Sequence, residues 1–458
     1  MWGKIVRNRL VWGILLGILA GLGIFLLYRH FAAVHGRVLN IYCWDTSFRT
    51  LMENYYPAYH KDTQYIGEVK VHWHIIPGTD NIYQTTIDKA LADAEDITSD
   101  ERVDMFLVEA DYVRKYTGND EVTQSLEELG ITEPELAEQF PYTRRAAMDT
   151  NGIQRGISWQ ACPGVMIYRR DIARQVFGTD DPAQIQSLVR NWPGFEQTAL
   201  QLRGAGYHML AGYYDTYRVF SSNVSAPWIN SQTEIVLDPA MQQWREQTRN
   251  FIANGSSYSN NLWEQGWNAQ VRGDVFCYFG PAWMMEHALK ILSLKTPVSE
   301  GGREEKGNGT FGQWAVCQGP QPYFWGGTWI CAAKNSDNSA LIADIMRTLC
   351  CRQDTAKAMA VNMTEFANHR SAMEELAADP SFGMPFLSGQ NAYAVMAGVA
   401  DSIRVENMTP YDQGAHEAFQ AASREYFDGQ ISREASWQKF LATVWLKYPE
   451  LQSASLVR

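Results

Sequence analysis

The chain has 458 residues, of which 46% are apolar and 20% charged, with a net charge of −12. That length admits two or three domains, and that composition excludes a disordered chain. The acidic balance argues against a nucleic-acid partner, because neutralising a phosphate backbone takes clustered Lys and Arg.

The first 37 residues set the compartment. Lys4, Arg7 and Arg9 precede Leu10–Tyr28, which carries no charge. At about 1.5 Å per residue such a helix nearly spans a hydrocarbon core of ~30 Å. Phe31–His35 fits the small-residue order of a signal-peptidase site poorly. The expectation is an uncleaved membrane anchor with its basic end inside and the body outside, a cleaved signal being the alternative. Both readings put the body outside the cytoplasm.

Beyond residue 37, Val38–Trp44 reads as a strand, Phe48–Tyr59 as a helix, Val69–Ile76 as an alternating strand and Thr79–Leu91 as a helix. Val103–Val108 is a short apolar strand that runs into Glu109, Ala110 and Asp111. Strand and helix alternating with short links imply a parallel sheet, whose ligands bind beyond the carboxyl ends of the strands. That rule places Trp44 and Asp45 at one rim with Glu109 and Asp111. Glu133–Ala147 reads as helical, and Ile157–Tyr168 as an extended run broken at Pro163–Gly164. Asp171–Val176 and Asp181–Arg203 are helical, a second helix starting at Trp192–Pro193. Further strands are expected over His208–Tyr214, Asp274–Phe279 and Gln313–Cys317, with Leu262–Val271 as a helix between the first two. Phe324–Ala333 reads as one aromatic strand carrying Gly326 and Gly327. An amphipathic helix follows, capped by Ser336 or Asp337, with Leu341, Ile342, Ile345, Met346 and Leu349 on its buried face.

The chemistry of catalysis is thinly represented. Gly307–Gly312 matches GxGxxG but neither follows a strand nor opens a helix, so it reads as a loop, and no cofactor is expected. His72 and His74 share a strand face without a third ligand at matching spacing, so no metal site is expected. Seven cysteines without CxxC spacing argue against zinc and redox motifs, and a Cys277–Cys317 bridge stays open. Neither GxSxG nor HExxH occurs. Glu109 and Asp111 could act as a carboxylate pair on a glycoside, although their closeness leaves little room for a sugar between them. The aromatics stand out instead: 16 Trp, 22 Tyr and 19 Phe, more than a core needs. Sugar rings stack C–H faces on indole and present hydroxyl edges to Asp, Glu, Asn and Arg.

Several stretches together resemble a known family. Val38–Tyr59, Asp104–Asp111, Asn151–Asp171, Tyr278–Trp283 (YFGPAW) and Phe324–Asn338 are similar, in order and spacing, to the extracellular solute-binding proteins of family 1, the carbohydrate receptors of ABC importers. The resemblance implies an α/β, two-lobed periplasmic-binding-protein-like fold (type 2 solute-binding) with a hinge, closing on its ligand without catalysis. Residues 1–37 would form the anchor, 38–152 and 324–372 the first lobe, and 153–323 and 373–458 the second. It implies ligand contacts from Trp44, Asp45, Glu109, Asp111, Trp325 and Trp329 in the first lobe. Trp159, Tyr214, Asp215, Arg218 and Trp283 would contribute from the second lobe or hinge. The implied partners are a carbohydrate, the permease subunits of an ABC importer and the membrane, for a monomer without cofactor. A retained anchor departs from many members and leaves open a sensor beside a membrane kinase. An anchored glycosidase using Glu109 with Asp111, Asp45 or Asp215 is the alternative from another class.

Overall fold

A computed structural model describes residues 37–451 and 456–457, and the expected membrane-spanning segment lies outside them. Among the described residues no helix is long and apolar enough to cross a membrane. The chain divides into two units. Among the described residues, the smaller holds 37–107 together with Glu121–Ile131 and Cys331–Thr348, and the larger holds Val108–Asp120, Thr132–Ile330, 349–451 and 456–457.

The smaller unit is built on strands β1 (Val38–Cys43), β2 (Tyr59–His60), β3 (Tyr65–Ile66), β4 (Val69–Ile75) and β5 (Met105–Glu109) in the order β2-β3-β4-β1-β5. β1 runs parallel to both neighbours, with Ile41 opposite Trp73 on one side and Met105 on the other. Parallel strands need covered faces, which accounts for their apolar runs: Leu39, Ile41, Met105 and Phe106 are buried. The Tyr83 hydroxyl, from the helix Ile82–Ala92, donates towards the carbonyls of Tyr42 and Leu107 at 3.1 and 2.7 Å and so ties the ends of β1 and β5. Beneath them Asp104 accepts from Asn40 N, Ser336 Oγ and Asn338 Nδ2. Ser336 also accepts the Asn338 N–H at 3.1 Å, fixing the turn ahead of the helix Ser339–Cys350. Ile342, Ile345 and Met346 form the buried face of that helix.

The larger unit is organised by β6 (Ile157–Ser158) and by β7 (Pro163–Arg169), every residue of which is buried. The extended run from 157 therefore breaks at Cys162, whose φ is +55°, and Pro163–Gly164 open the next strand. Gly164 is required there because a Cβ would lie 2.2 Å from the Tyr323 ring. Short strands β8 (Leu210–Gly212), β9 (Ile235–Val236) and β10 (Ser257–Asn260) follow, β8 and β10 pairing parallel. Next come β11 (Cys277–Gly280), β12 (Trp314–Cys317), β13 (Tyr323–Phe324) and β14 (Thr328–Ala332). β11, β12 and β13 all pair antiparallel with β7, and β14 pairs antiparallel with β6 through Trp329 and Ser158.

The single strand expected over Phe324–Ala333 is thus two, divided by Gly326 (φ +74°) and Gly327 (φ +106°), backbone states that a side chain disfavours. Asn191 caps the helix Trp192–Gly204, with Pro193 in its first turn. Residues 108–120, 132–152, 324–330 and 349–372, expected with the first lobe, belong to the larger unit, where Phe140, Tyr142, Ala356 and Phe366 join one apolar core. Cys277 and Cys317 are free buried thiols.

Candidate functional site

In the larger unit, Glu109 ends β5 and accepts the backbone N–H of Asp111 at 2.9 Å, which turns the chain into the short helix Val113–Thr117. The turn presents Asp111 to Arg218, on the helix Tyr217–Ser221, and the two guanidinium nitrogens meet the two carboxylate oxygens at 2.5 and 2.6 Å. Such a fork fixes orientation as well as charge. Burial works to raise the Asp111 carboxyl, but the charge and hydrogen bonds of Arg218 outweigh it and hold the group below its usual range. Glu109 lacks such a clamp, so burial, helped by the neighbouring Asp111 charge, pushes it up.

Asp111 and Arg218 line a cavity within this unit, together with Ala110, Trp228, Trp325 and His416. Trp325 stands there because of the two glycines. Gly327 O accepts the Ala110 N–H at 3.1 Å, and a Cβ on Gly326 would sit 3.2 Å from Trp283 Nε1. Trp283 in turn donates to Trp325 O at 3.2 Å. Its ring lies edge-on to that of Trp325, 5.2 Å between centroids, with Trp263 at 6.1 Å from Trp325 and 6.3 Å from Trp283. Trp263 is 43% exposed and holds φ at +69°. A bulky residue in that region carries backbone strain, a feature that clusters at functional sites.

The other residues singled out by sequence have different settings. In the smaller unit, Trp44 follows β1, half-buried and edge-on to Tyr83 at 5.5 Å, while exposed Asp45 accepts the Ser47 N–H. In the larger unit, Asp215 is buried. It accepts from Ala211 N, Gly212 N and Trp267 Nε1, and burial raises it to about 6. Trp329 is 1% exposed and donates to Thr143 O, and Trp159 is buried too. Tyr214 is half-buried, with its hydroxyl 3.4 Å from Gln420 O. The cavity thus brings Asp111, Arg218 and Trp325 together, with Trp283 packed behind Trp325.

His416, Trp228 and Trp263 are not among the ligand contacts that the resemblance implies. Trp228 Nε1 and Tyr217 Oη both bond His416 Nδ1, at 3.1 and 2.6 Å. His72 and His74 have rings 4.4 Å apart, and His74 Nε2 pairs with Asn40 Oδ1. Among the described residues, no group of three or more His, Cys, Asp or Glu side chains could hold a metal ion.

No curated protein matches the chain. Solved structures match at low identity. A crystal structure described as an extracellular solute-binding protein of family 1 is 16% identical, with a TM-score of 0.71, covering 89% of this chain and 99% of its own. The galacto-N-biose/lacto-N-biose I-binding protein of an ABC transporter from Bifidobacterium longum, in complex with lacto-N-biose, is 13% identical. Its TM-score is 0.65, over 92% of this chain and 98% of its own. An ABC-transporter-associated binding protein from B. animalis subsp. lactis, in complex with β-1,6-galactobiose, is 14% identical. It has a TM-score of 0.65 over 92% of this chain and 100% of its own. Their fold is the two-lobed α/β fold of solute-binding proteins, and this chain shares it. Residues 62–383, well over half of the chain, match the family profile described as bacterial extracellular solute-binding protein, and the chain belongs to that family.

Proposed function

We propose that the protein captures a carbohydrate outside the cytoplasm and delivers it to the permease of an ABC importer. The observation that carries this reading is Trp325. Its half-buried ring sits beside Trp283 and Trp263 and on the wall of the cavity that holds Asp111 and Arg218. An indole face next to a charge-assisted polar pair suits a ligand with apolar C–H faces and hydroxyl edges. The sugars bound by the Bifidobacterium proteins of like fold support the same class.

One observation favours an enzyme instead. Glu109 is pushed up while Asp111 is held down, the pattern of an acid–base pair. Against it, Arg218 occupies both oxygens of Asp111.

A thermal-shift screen separates these readings, with galactose, maltose, lacto-N-biose and β-1,6-galactobiose beside peptides, polyamines and ferric iron. A ligand at 100-fold over its Kd stabilises the folded state by about 2.7 kcal/mol. The expected result is a raised Tm with a saccharide that is recovered intact. A cleaved saccharide makes the protein a glycosidase, and a shift with another class alone removes the carbohydrate assignment.

A further inference from the structure

His416, on the helix Asp412–Phe427, is a ring whose tautomer its neighbours dictate. Indole nitrogen only donates, so the 3.1 Å contact from Trp228 Nε1 requires Nδ1 to be bare. The Tyr217 hydroxyl points at the same nitrogen at 2.6 Å. These two donors come from different segments, and both rings pack edge-on to the imidazole, at 5.7 and 5.5 Å. A second proton cannot enter at Nδ1 without breaking both contacts. Burial and the Arg218 charge also oppose a cationic ring and lower His416 to about 4, the Asp111 charge acting the other way. The ring is therefore neutral near pH 7, with its one proton on Nε2. It lines the same cavity as Asp111, Arg218 and Trp325, and Nε2 has no partner among the described residues.

The charges on this cavity wall are engaged. Arg218 is forked to Asp111, and Arg404 Nη1 lies 3.5 and 3.4 Å from the carbonyls of Asp401 and Ile403. Glu406 pairs with Arg145, and Asp238 accepts from Ser225 and Ala240. Asp412 accepts from the N–H and hydroxyl of Thr409. His416 adds to these a neutral donor of fixed direction on the wall that Trp325 also lines.

We infer that His416 is a fixed hydrogen-bond donor of the binding site, and that it takes an uncharged oxygen acceptor, a sugar hydroxyl or ring oxygen, through Nε2–H. This rests on the carbohydrate reading above and adds a binding residue to it.

Two amide variants test it, each reproducing one of the two ring-nitrogen positions. In His416→Asn the amide oxygen replaces Nδ1 as acceptor for Trp228 and Tyr217, and no donor reaches the position of Nε2. In His416→Gln an amide N–H reaches the position of Nε2. The full chain is titrated calorimetrically with galactose, maltose, lacto-N-biose and β-1,6-galactobiose. His416→Asn should weaken the best of them about 3- to 10-fold, the worth of one neutral hydrogen bond, while His416→Gln stays within about twofold. Equal affinity of His416→Asn and wild type overturns the inference and leaves the carbohydrate reading standing, as does a His416→Gln variant that binds no better than His416→Asn. Wild-type protein that binds none of the four sugars counts against the carbohydrate reading and this inference together. A readout independent of sugar is the ¹⁵N spectrum of histidine-labelled protein, with His416 assigned by its loss in His416→Asn. A proton on Nε2 and a bare Nδ1 at pH 7 is the expected result, and the opposite tautomer overturns the inference.

Discussion

Two aspartates of the larger unit stand just beyond strands and have opposite fates. Asp215 follows β8 and is consumed by its own loop, one oxygen taking two backbone N–H groups and the other the Trp267 indole. Asp111 follows β5 and spends both oxygens on one side chain, Arg218, at a cavity wall. Residue type is the same in both, and each stands within three residues of a strand end. What differs is the partner. A carboxylate that satisfies buried backbone donors cannot leave them, because each orphaned donor costs about 1–3 kcal/mol. A carboxylate forked to an arginine that is about a quarter exposed can share that arginine with an incoming hydroxyl at far lower cost. The first builds a turn, and the second is available to a ligand.

The largest expected effect breaks the turn. Asp215→Ala orphans three donors and should cost about 3–5 kcal/mol in urea denaturation, with Asp215→Asn milder. Any sugar affinity of the folded fraction should be unchanged, and a selective loss of affinity would erase the distinction drawn here. The pH dependence of stability sharpens it further. Asp215 is raised to about 6 from 3.8, so its contribution is present below 3.8 and is lost as pH rises through 6. Wild type should lose on the order of 2–3 kcal/mol relative to Asp215→Asn between pH 4 and 7. Asp111 is lowered, so its contribution is present above its ordinary value and lost as pH falls through its folded one. Wild type minus Asp111→Asn should therefore slope the other way, weakening in acid. Parallel slopes would mean that both groups are governed by burial alone.

Next in size is the fork itself. Asp111→Ala should cost about 1–2 kcal/mol of stability, discounted because both partners remain about a quarter exposed. The same change should weaken sugar binding by about tenfold or more, measured by calorimetry. A variant that loses stability but keeps its affinity would move Asp111 into the class of Asp215.

Local chemistry made much of the fold legible. The apolar runs of β1 and β5, the alternation of β4 and the Trp192–Pro193 helix start all follow from short-range rules, and the structure has them. Breaks were harder to place. The run from 157 yields at Cys162 and not at Pro163–Gly164, because pairing with Tyr323 and Phe324 draws the proline and glycine into β7. Site residues obey the same limit. Asp111 and Arg218 were legible as polar groups beyond the ends of expected strands, but their pairing spans 107 positions. His416 meets Trp228 across 188, and no local pattern around HEAF announces a ring held in one tautomer. Trp325 and Trp329 look alike in sequence, four residues apart, yet one lines the cavity and the other donates to Thr143 O in the core.

The smallest effect concerns what sets Trp325 in place. Gly326 has φ at +74° and Gly327 at +106°. The first lies near the left-handed region that an L-residue can enter at a cost, whereas the second lies beyond it. A Cβ on Gly326 meets Trp283 Nε1 at 3.2 Å, so the indole must shift by a few tenths of an ångström, and its hydrogen bond to Trp325 O with it. Gly326→Ala should therefore cost only about 1 kcal/mol of stability, seen as a small drop in Tm, since backbone strain and one shifted contact are all that it adds. Affinity for a sugar should nonetheless fall about threefold or more, because Trp325 turns away from the cavity while Asp111 and Arg218 stay in place. The same substitution at Gly327, whose carbonyl holds Ala110, should cost more of both. If Gly326→Ala lowers Tm and leaves sugar affinity untouched, the aromatic face is packing, and recognition rests on the polar wall alone.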